Sequence, residues 1–222
     1  MNLEYARINM IEQQIRPWGI GDQVVLDTMS VVQREQFVPI AYRQLAFADV
    51  EIPIGHDEFM MAPRVEARML QALQITSTDT CLEIGTGSGF VTACMAKLAK
   101  HVDSVDIHED FTQQAAAHLE EQAIHNYTLH TGDALRHWQP EGQYDVIAVT
   151  GAVPESMLAR LEAWLAIGGR MFVVVVTGSF TVMHALLLTR QEDGELSRTV
   201  LFDTQLRTLV GAEADNSSFF TF

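Results

Sequence analysis

Nine residues near the middle of the chain, Leu82-Glu83-Ile84-Gly85-Thr86-Gly87-Ser88-Gly89-Phe90, restrict its folding more than any other stretch. The apolar run Cys81–Ile84 reads as a strand and Val91–Ala99 as a helix, so the three alternating glycines fall in a strand-to-helix connection. Glycine admits positive φ and lets backbone approach a bound group with no Cβ in the way. The following helix directs unpaired N–H groups toward the loop, which suits a polar or anionic ligand group. A tight turn needs fewer glycines. The loop therefore predicts a ligand cradle made by Gly85, Thr86, Gly87, Ser88 and Gly89.

From Thr80 onward strand and helix patterns alternate, the mark of a mostly parallel sheet flanked by helices. The expected strands are Cys81–Ile84, Val102–Ile107, Tyr127–His130, Asp145–Thr150 and Arg170–Val176, with two more from Thr181–Arg190 and Arg198–Leu209. Helices are expected at Val91–Ala99, Phe111–Gln122 and Pro154–Trp164, and a turn at Ala166-Ile167-Gly168-Gly169. Ahead of this lie helical patterns over Tyr5–Ile15 and Asp22–Val32, with Asp22 a fitting N-cap. A short extended piece, Val50–Ile54, leads through Gly55-His56-Asp57 to a helix over Pro63–Leu73. The organisation expected is a helical N-terminal extension with a substrate-side loop (1–75), a ligand-binding core (76–212) and a tail (213–222), all in one compact domain. Three phenylalanines, Phe219, Phe220 and Phe222, offer that tail a means of docking.

Composition narrows the function. The 222 residues are 48% hydrophobic and 19% charged, as in a folded globular chain. The 29 acidic and 14 basic residues give a formal net charge of -15 with no Lys/Arg cluster, which argues against a nucleic-acid partner. The first seven residues lack the basic-then-apolar order of a secretory signal, and the apolar run Met171–Val176 is too short for a bilayer. A cytoplasmic chain with no membrane partner is expected. Cys81 and Cys94 form no CxxC and sit in apolar patterns, so they read as core residues. The eight histidines contain no HExxH or close ligand pair, so no metal site is expected.

The identity of the ligand follows from charge. Dinucleotide loops read GxGxxG, whereas this one reads GxGxG with Glu83 two residues before its first glycine. A carboxylate there suits poorly a pyrophosphate but well an ammonium, which points to S-adenosylmethionine. Asp106, 23 residues beyond Glu83 at the end of the second strand, is placed to accept bonds from both ribose hydroxyls, with Ile107 beside it. Asp133 and Ala134 follow the third strand, where the carboxylate of Asp133 would face an adenine amino group or else cap a turn. Thr150-Gly151-Ala152 follows the fourth strand and borders the acceptor side, its small residues leaving room.

With these motifs on view, the chain resembles the protein-L-isoaspartate O-methyltransferase family. The resemblance runs through Met10-Ile11-Glu12-Gln13-Gln14-Ile15-Arg16, Arg34-Glu35-Gln36-Phe37-Val38-Pro39, Ile52-Pro53-Ile54-Gly55-His56, the glycine loop, Tyr144–Thr150 and Gly168-Gly169-Arg170. It implies a Rossmann-like class I methyltransferase fold, S-adenosylmethionine as cofactor, and methyl esterification of the free α-carboxylate at isoaspartyl residues of damaged proteins. One segment departs from the family. After Ile-Gly-His the family carries Gly-Gln-Thr-Ile-Ser, but here the chain reads Asp57-Glu58-Phe59-Met60-Met61. A thioether cannot give the hydrogen bond of the family's serine, so an altered, apolar or small acceptor, or binding without turnover, stays open. His56, Met61 and Thr150 are the acceptor-side candidates. A carboxylate with a pKa of about 4 is ionised at neutral pH, so esterifying it requires no general base.

Overall fold

The computed structural model describes residues 3–177 and 182–212. The expected tail, with its phenylalanines, and Thr181 lie outside the described residues. Nine strands and six α-helices carry the architecture among them. In chain order these are α1 (Leu3–Asn9), α2 (Gln23–Val31), β1 (Ile52–Gly55), β2 (Glu58–Met60), α3 (Pro63–Leu73), β3 (Thr80–Ile84), α4 (Phe90–Leu98) and β4 (His101–Asp106). They continue with α5 (Glu109–Glu121), β5 (Tyr127–Thr131), β6 (Tyr144–Pro154), α6 (Leu158–Glu162), β7 (Leu165–Thr177), β8 (Val182–Arg190) and β9 (Leu196–Thr204).

Seven strands form one sheet in the order β5-β4-β3-β6-β7-β8-β9. The first five run parallel, and β8 pairs antiparallel with both β7 and β9. This is the mostly parallel, helix-flanked class I methyltransferase architecture that the sequence leads one to expect. Alternation along the strands explains the two faces. Cys81, Val102, Val146, Ala148, Phe172 and Val174 join one core cluster with α2, α3 and α4. Their neighbours Leu82, Val105, Ile147, Val149, Met171 and Val173 join another with α6. A period of two sends successive side chains to opposite faces. Both cysteines are buried free thiols, and no helix among the described residues is long and apolar enough to cross a membrane.

Several local expectations need correction. The first helix is α only to Asn9 and widens to π geometry over Met10–Ile15, burying Met10, Ile11 and Ile15. The expected helix from Pro154 begins late, because β6 runs on to Pro154 and a 3-10 turn, Glu155–Met157, intervenes before α6. Ala166–Gly169 is not a free turn but an irregular stretch inside β7, where the register against β6 jumps between Tyr144 and Val146. The last strand ends at Thr204 rather than Leu209. Residues beyond it cross back to the tip of β6, where Ala152 N–H donates to the Arg207 carbonyl at 2.8 Å and Leu209 N–H to the Ala152 carbonyl at 2.9 Å.

Asp22 caps α2 as expected, its carboxylate accepting from the Val24 N–H at 2.9 Å. Asp22→Ala leaves that donor without its partner and is expected to cost about 1 kcal/mol of stability in a urea titration.

Candidate functional site

The chain steps outward from β3 to β4 and β5, then returns to place β6 on the other side of β3. The strand ends diverge at this reversal and open a crevice beyond their carboxyl termini. A cleft of about 740 Å³ lies there, floored by Gly85, Gly87, Asp106, Ile107, Asp133 and Ala134. A smaller space of about 320 Å³ adjoins it under the glycine loop and is lined by Glu83, Thr86 and Ser88. Met61, Gly85, Gly87 and Thr150 line both, so the two spaces meet at these residues.

The glycine loop takes its shape from positive φ at Gly85, Gly87 and Gly89 (95°, 51° and 86°). A Cβ on Gly85 would come within 2.3 Å of the Thr150 hydroxyl. That hydroxyl donates toward the carbonyls of Ile84 at 2.9 Å and Gly85 at 2.7 Å, clamping the loop to β6. Gly89 lines neither space. It starts α4 and packs on α5, where a Cβ would sit 2.8 Å from that of Ala115. The Leu209 side chain stands 2.6 Å from where a Cβ on Gly151 would be, and both residues line the cleft.

Asp106 is mostly buried and held by the loop it faces. Its Oδ2 accepts from the Gly87 N–H at 2.8 Å and its Oδ1 from the His108 N–H at 2.9 Å. Each carboxylate oxygen accepts two bonds, which leaves acceptor capacity for hydroxyls in the cleft. Burial pushes its pKa up, against the lowering effect of those two backbone bonds. Asp133 caps a turn and also lines the cleft. Its Oδ1 accepts from the Leu135 and Arg136 N–H groups at 2.9 and 3.1 Å.

Glu83 is fully buried. Its Oε2 accepts from the hydroxyls of Ser104, at 2.6 Å, and Thr92. Its Oε1 has no hydrogen-bond partner among the described residues. Burial pushes its pKa up to about 8, with the two hydroxyl bonds opposing and the neighbouring Asp106 and Glu66 adding to the rise. An orphaned buried carboxyl oxygen is costly unless a ligand satisfies it. The donor missing here is one that an ammonium would provide.

His56 and Asp57 form the two-residue turn of the β1–β2 hairpin, both at positive φ (50° and 63°). His56 lines neither space. Its Nε2 lies 2.8 Å from Asp110 Oδ2, and its ring stacks on His108 at 4.1 Å and 9°. These three residues bring potential metal-ligating atoms within 4.8 Å of one another. Lone pairs of imidazole nitrogens lie in the ring planes, so two stacked parallel rings do not converge on one ion. The cluster instead ties the hairpin to the start of α5.

Residues that the sequence did not single out complete the cleft. Arg207, on the segment returning from β9, is the one arginine among its described lining residues. It binds the hairpin tip, with Nε donating to the Asp57 carbonyl at 3.0 Å and a guanidinium nitrogen 2.9 Å from the Asp57 carboxylate. Its guanidinium also lies 5.6 Å from the centre of the Phe59 ring. Glu51 and Glu58 line the same mouth. Burial raises both pKa values, with Arg207 opposing in each case and Asp106 adding to the rise at Glu58. Only the crossing back to β6 brings Arg207 here, and no local pattern foretells that.

The family model described as protein-L-isoaspartate(D-aspartate) O-methyltransferase matches residues 6–214. A protein-L-isoaspartate O-methyltransferase of Koribacter versatilis is 38% identical over 205 residues, 92% of this chain and 90% of the relative. A protein-L-isoaspartate O-methyltransferase 2 of Pelobacter propionicus is 35% identical, with 96% of this chain and 93% of the relative covered. Among solved structures, one from Plasmodium falciparum, described as a protein-L-isoaspartate O-methyltransferase in complex with S-adenosyl-L-homocysteine, superposes with a TM-score of 0.75. It is 20% identical and covers 94% of this chain and 98% of its own, a likeness of fold.

Proposed function

The chain belongs to the protein-L-isoaspartate O-methyltransferase family, and from that premise we propose that it esterifies the free carboxylate of isoaspartyl residues in proteins and peptides, using S-adenosylmethionine. The observation that carries the reading is the paired space at the ends of β3, β4 and β6, with the larger cleft on one side of the glycine loop and an orphaned carboxyl oxygen of Glu83 on the other. Asp106 takes the ribose hydroxyls, Asp133 faces the adenine, and Glu83 takes the ammonium. Thr150 holds the loop against β6, and Met61, which lines both spaces, stands beside the reacting centre.

When bound, S-adenosylmethionine would supply an activated methyl group to a carboxylate oxygen, with S-adenosylhomocysteine as the leaving group. The protein's own contribution is alignment and exclusion of water, and alignment alone supplies roughly 7–11 kcal/mol in favourable cases. Arg207, already paired with Asp57, is the cation that an incoming carboxylate would meet in a mouth also lined by Glu51 and Glu58. The free buried thiols accord with a reducing, cytoplasmic setting.

Incubating the purified protein with labelled S-adenosylmethionine and an isoaspartyl peptide tests this reading. A base-labile methyl ester is expected. Cofactor binding with no base-labile ester on any isoaspartyl peptide would refute it. A second reading, an apolar or small-molecule acceptor, draws support from Phe59 and Met61 in the cleft wall. The double variant Phe59→Thr, Met61→Ser separates the two. One regained hydrogen bond of about 1 kcal/mol raises kcat/KM on isoaspartyl peptides roughly fivefold. A far larger gain, from a wild type nearly inactive on these peptides, would favour the apolar acceptor.

A further inference from the structure

A second and larger groove, of about 1260 Å³, adjoins the cleft. Glu51 lines both, and Gln205 in the groove is followed directly by Leu206 in the cleft, so one runs into the other. The walls come from Trp18 in the 3-10 turn Arg16–Trp18 that follows the first helix, from Arg64 and Arg68 on α3, and from Met183 and Phe202 on β8 and β9. Two arginines lie over aromatic rings here, Arg64 at 4.6 Å from the centre of Trp18 and Arg68 at 3.9 Å from that of Phe202.

The charges differ in how they are satisfied. Arg64 pairs with Asp49 at 2.7 Å and Asp203 with His184 at 2.7 Å, while Glu51, where the groove meets the cleft, feels the charge of Arg207. Arg68 donates to the Leu201 carbonyl at 3.3 Å but has no carboxylate partner among the described residues. A half-exposed tryptophan, a phenylalanine face and a cation without a counter-ion suit an extended polypeptide carrying an acidic side chain. A small-molecule acceptor would have no use for a trough that leads away from the reacting centre.

We propose that this groove seats the polypeptide on one side of the acceptor's isoaspartyl residue, with Arg68 receiving an acidic side chain of that flank. The proposal rests on the isoaspartyl reading of the cleft, and its test separates the two. The probes are a short blocked isoaspartyl peptide and the same peptide lengthened, on one side or the other, by about six residues, enough to span roughly 20 Å. Each extension carries either one glutamate or glutamine in its place.

In the wild type one extension, and not the other, raises kcat/KM about tenfold through KM, a gain equal to about 1.4 kcal/mol, and the glutamine version gains less. Arg68→Glu and Trp18→Ala, both on the groove surface, each abolish this gain. They leave kcat/KM on the short peptide and cofactor affinity unchanged, which shows that each variant is folded. Binding of the extended peptide also perturbs Trp18 fluorescence, and Trp18→Phe removes that signal. If neither extension helps, or if the gain survives both variants, the groove is not the acceptor channel. If the wild type methylates no isoaspartyl peptide, short or long, the isoaspartyl reading itself falls and takes the groove assignment with it.

Discussion

Replacing Arg34 with alanine is expected to lower the unfolding free energy by about 3–5 kcal/mol, the cost of leaving one member of a buried ion pair alone. Arg34 is 0% exposed. It donates to Glu66, to the Ala46 carbonyl at 2.9 Å and to the Met61 carbonyl at 2.7 Å, and its guanidinium lies 4.7 Å from the centre of the Phe90 ring. The residue thus joins the N-terminal extension, α3, the first turn of α4 and the strip that ends the hairpin. Burial already pushes the Glu66 pKa up, and Arg34 is the group that opposes it. Without the guanidinium, Glu66 must take up a proton or remain an uncompensated charge.

Replacing both partners with apolar residues, as in Arg34→Met with Glu66→Leu, should recover part of the loss. It should not recover all, because the carbonyls of Ala46 and Met61 stay without donors. Urea unfolding of the single and the double variant checks this. The single variant should also show a higher KM for the acceptor, since the Met61 backbone loses its anchor. An Arg34→Ala protein as stable as the wild type would contradict the account.

The second large effect concerns pH. Free protein keeps a proton on Glu83 up to about pH 8, because burial outweighs its two hydroxyl donors. Pairing with the cofactor's ammonium requires the carboxylate, so binding expels that proton. Apparent affinity for S-adenosylhomocysteine therefore falls up to tenfold per unit below pH 8, or roughly 100-fold between pH 7 and pH 5. Calorimetry in buffers of differing ionisation enthalpy should record the released proton. Glu83→Gln should bind weakly with a flat profile in this range.

The same shift acts on stability with the opposite sense of benefit. A carboxyl whose pKa is raised from 4.5 to about 8 in the folded state holds its proton more tightly than in the unfolded chain. Its stabilising contribution is complete below pH 4.5 and is lost as pH rises through 8. Glu83→Gln should remove that slope from unfolding measured in the absence of ligand. A wild-type affinity independent of pH would show that Glu83 does not meet the ammonium.

Periodicity made the sheet legible from sequence. Cys81/Leu82, Val146/Ile147 and Phe172/Val173 alternate between two buried faces, and such runs bounded by glycine and helix patterns leave few alternatives. The loop of Gly85, Gly87 and Gly89 was readable for a similar reason, since all three adopt the positive φ that glycine alone tolerates freely. The β1–β2 hairpin was hidden because its turn uses His56 and Asp57 at positive φ, where Asn-Gly or Asp-Gly would be the expected signal. The short 3-10 turns Arg34–Gln36 and Ile40–Leu45 have no periodicity long enough to register.

Long-range geometry sets the limit at the site. Arg207 reaches the cleft only because the chain leaves the sheet edge after Thr204 and crosses to Ala152. Gly151 lines the cleft as its small size suggested, but Leu209, 58 residues later, lines it too and packs against it. Asp106 and Asp133 stand at the strand ends as their spacing suggested. What the spacing could not convey is that both already serve backbone N–H groups, so a ligand would share them rather than own them.

A crystal structure of the protein with S-adenosylhomocysteine tests the central claim most directly. The ribose hydroxyls should lie within hydrogen-bond distance of Asp106, the ammonium should approach Glu83 Oε1, and the sulfur should stand next to Met61. A nucleoside lodged elsewhere, or a glycine loop whose two adjoining spaces stay closed by side chains at saturating ligand, would contradict it.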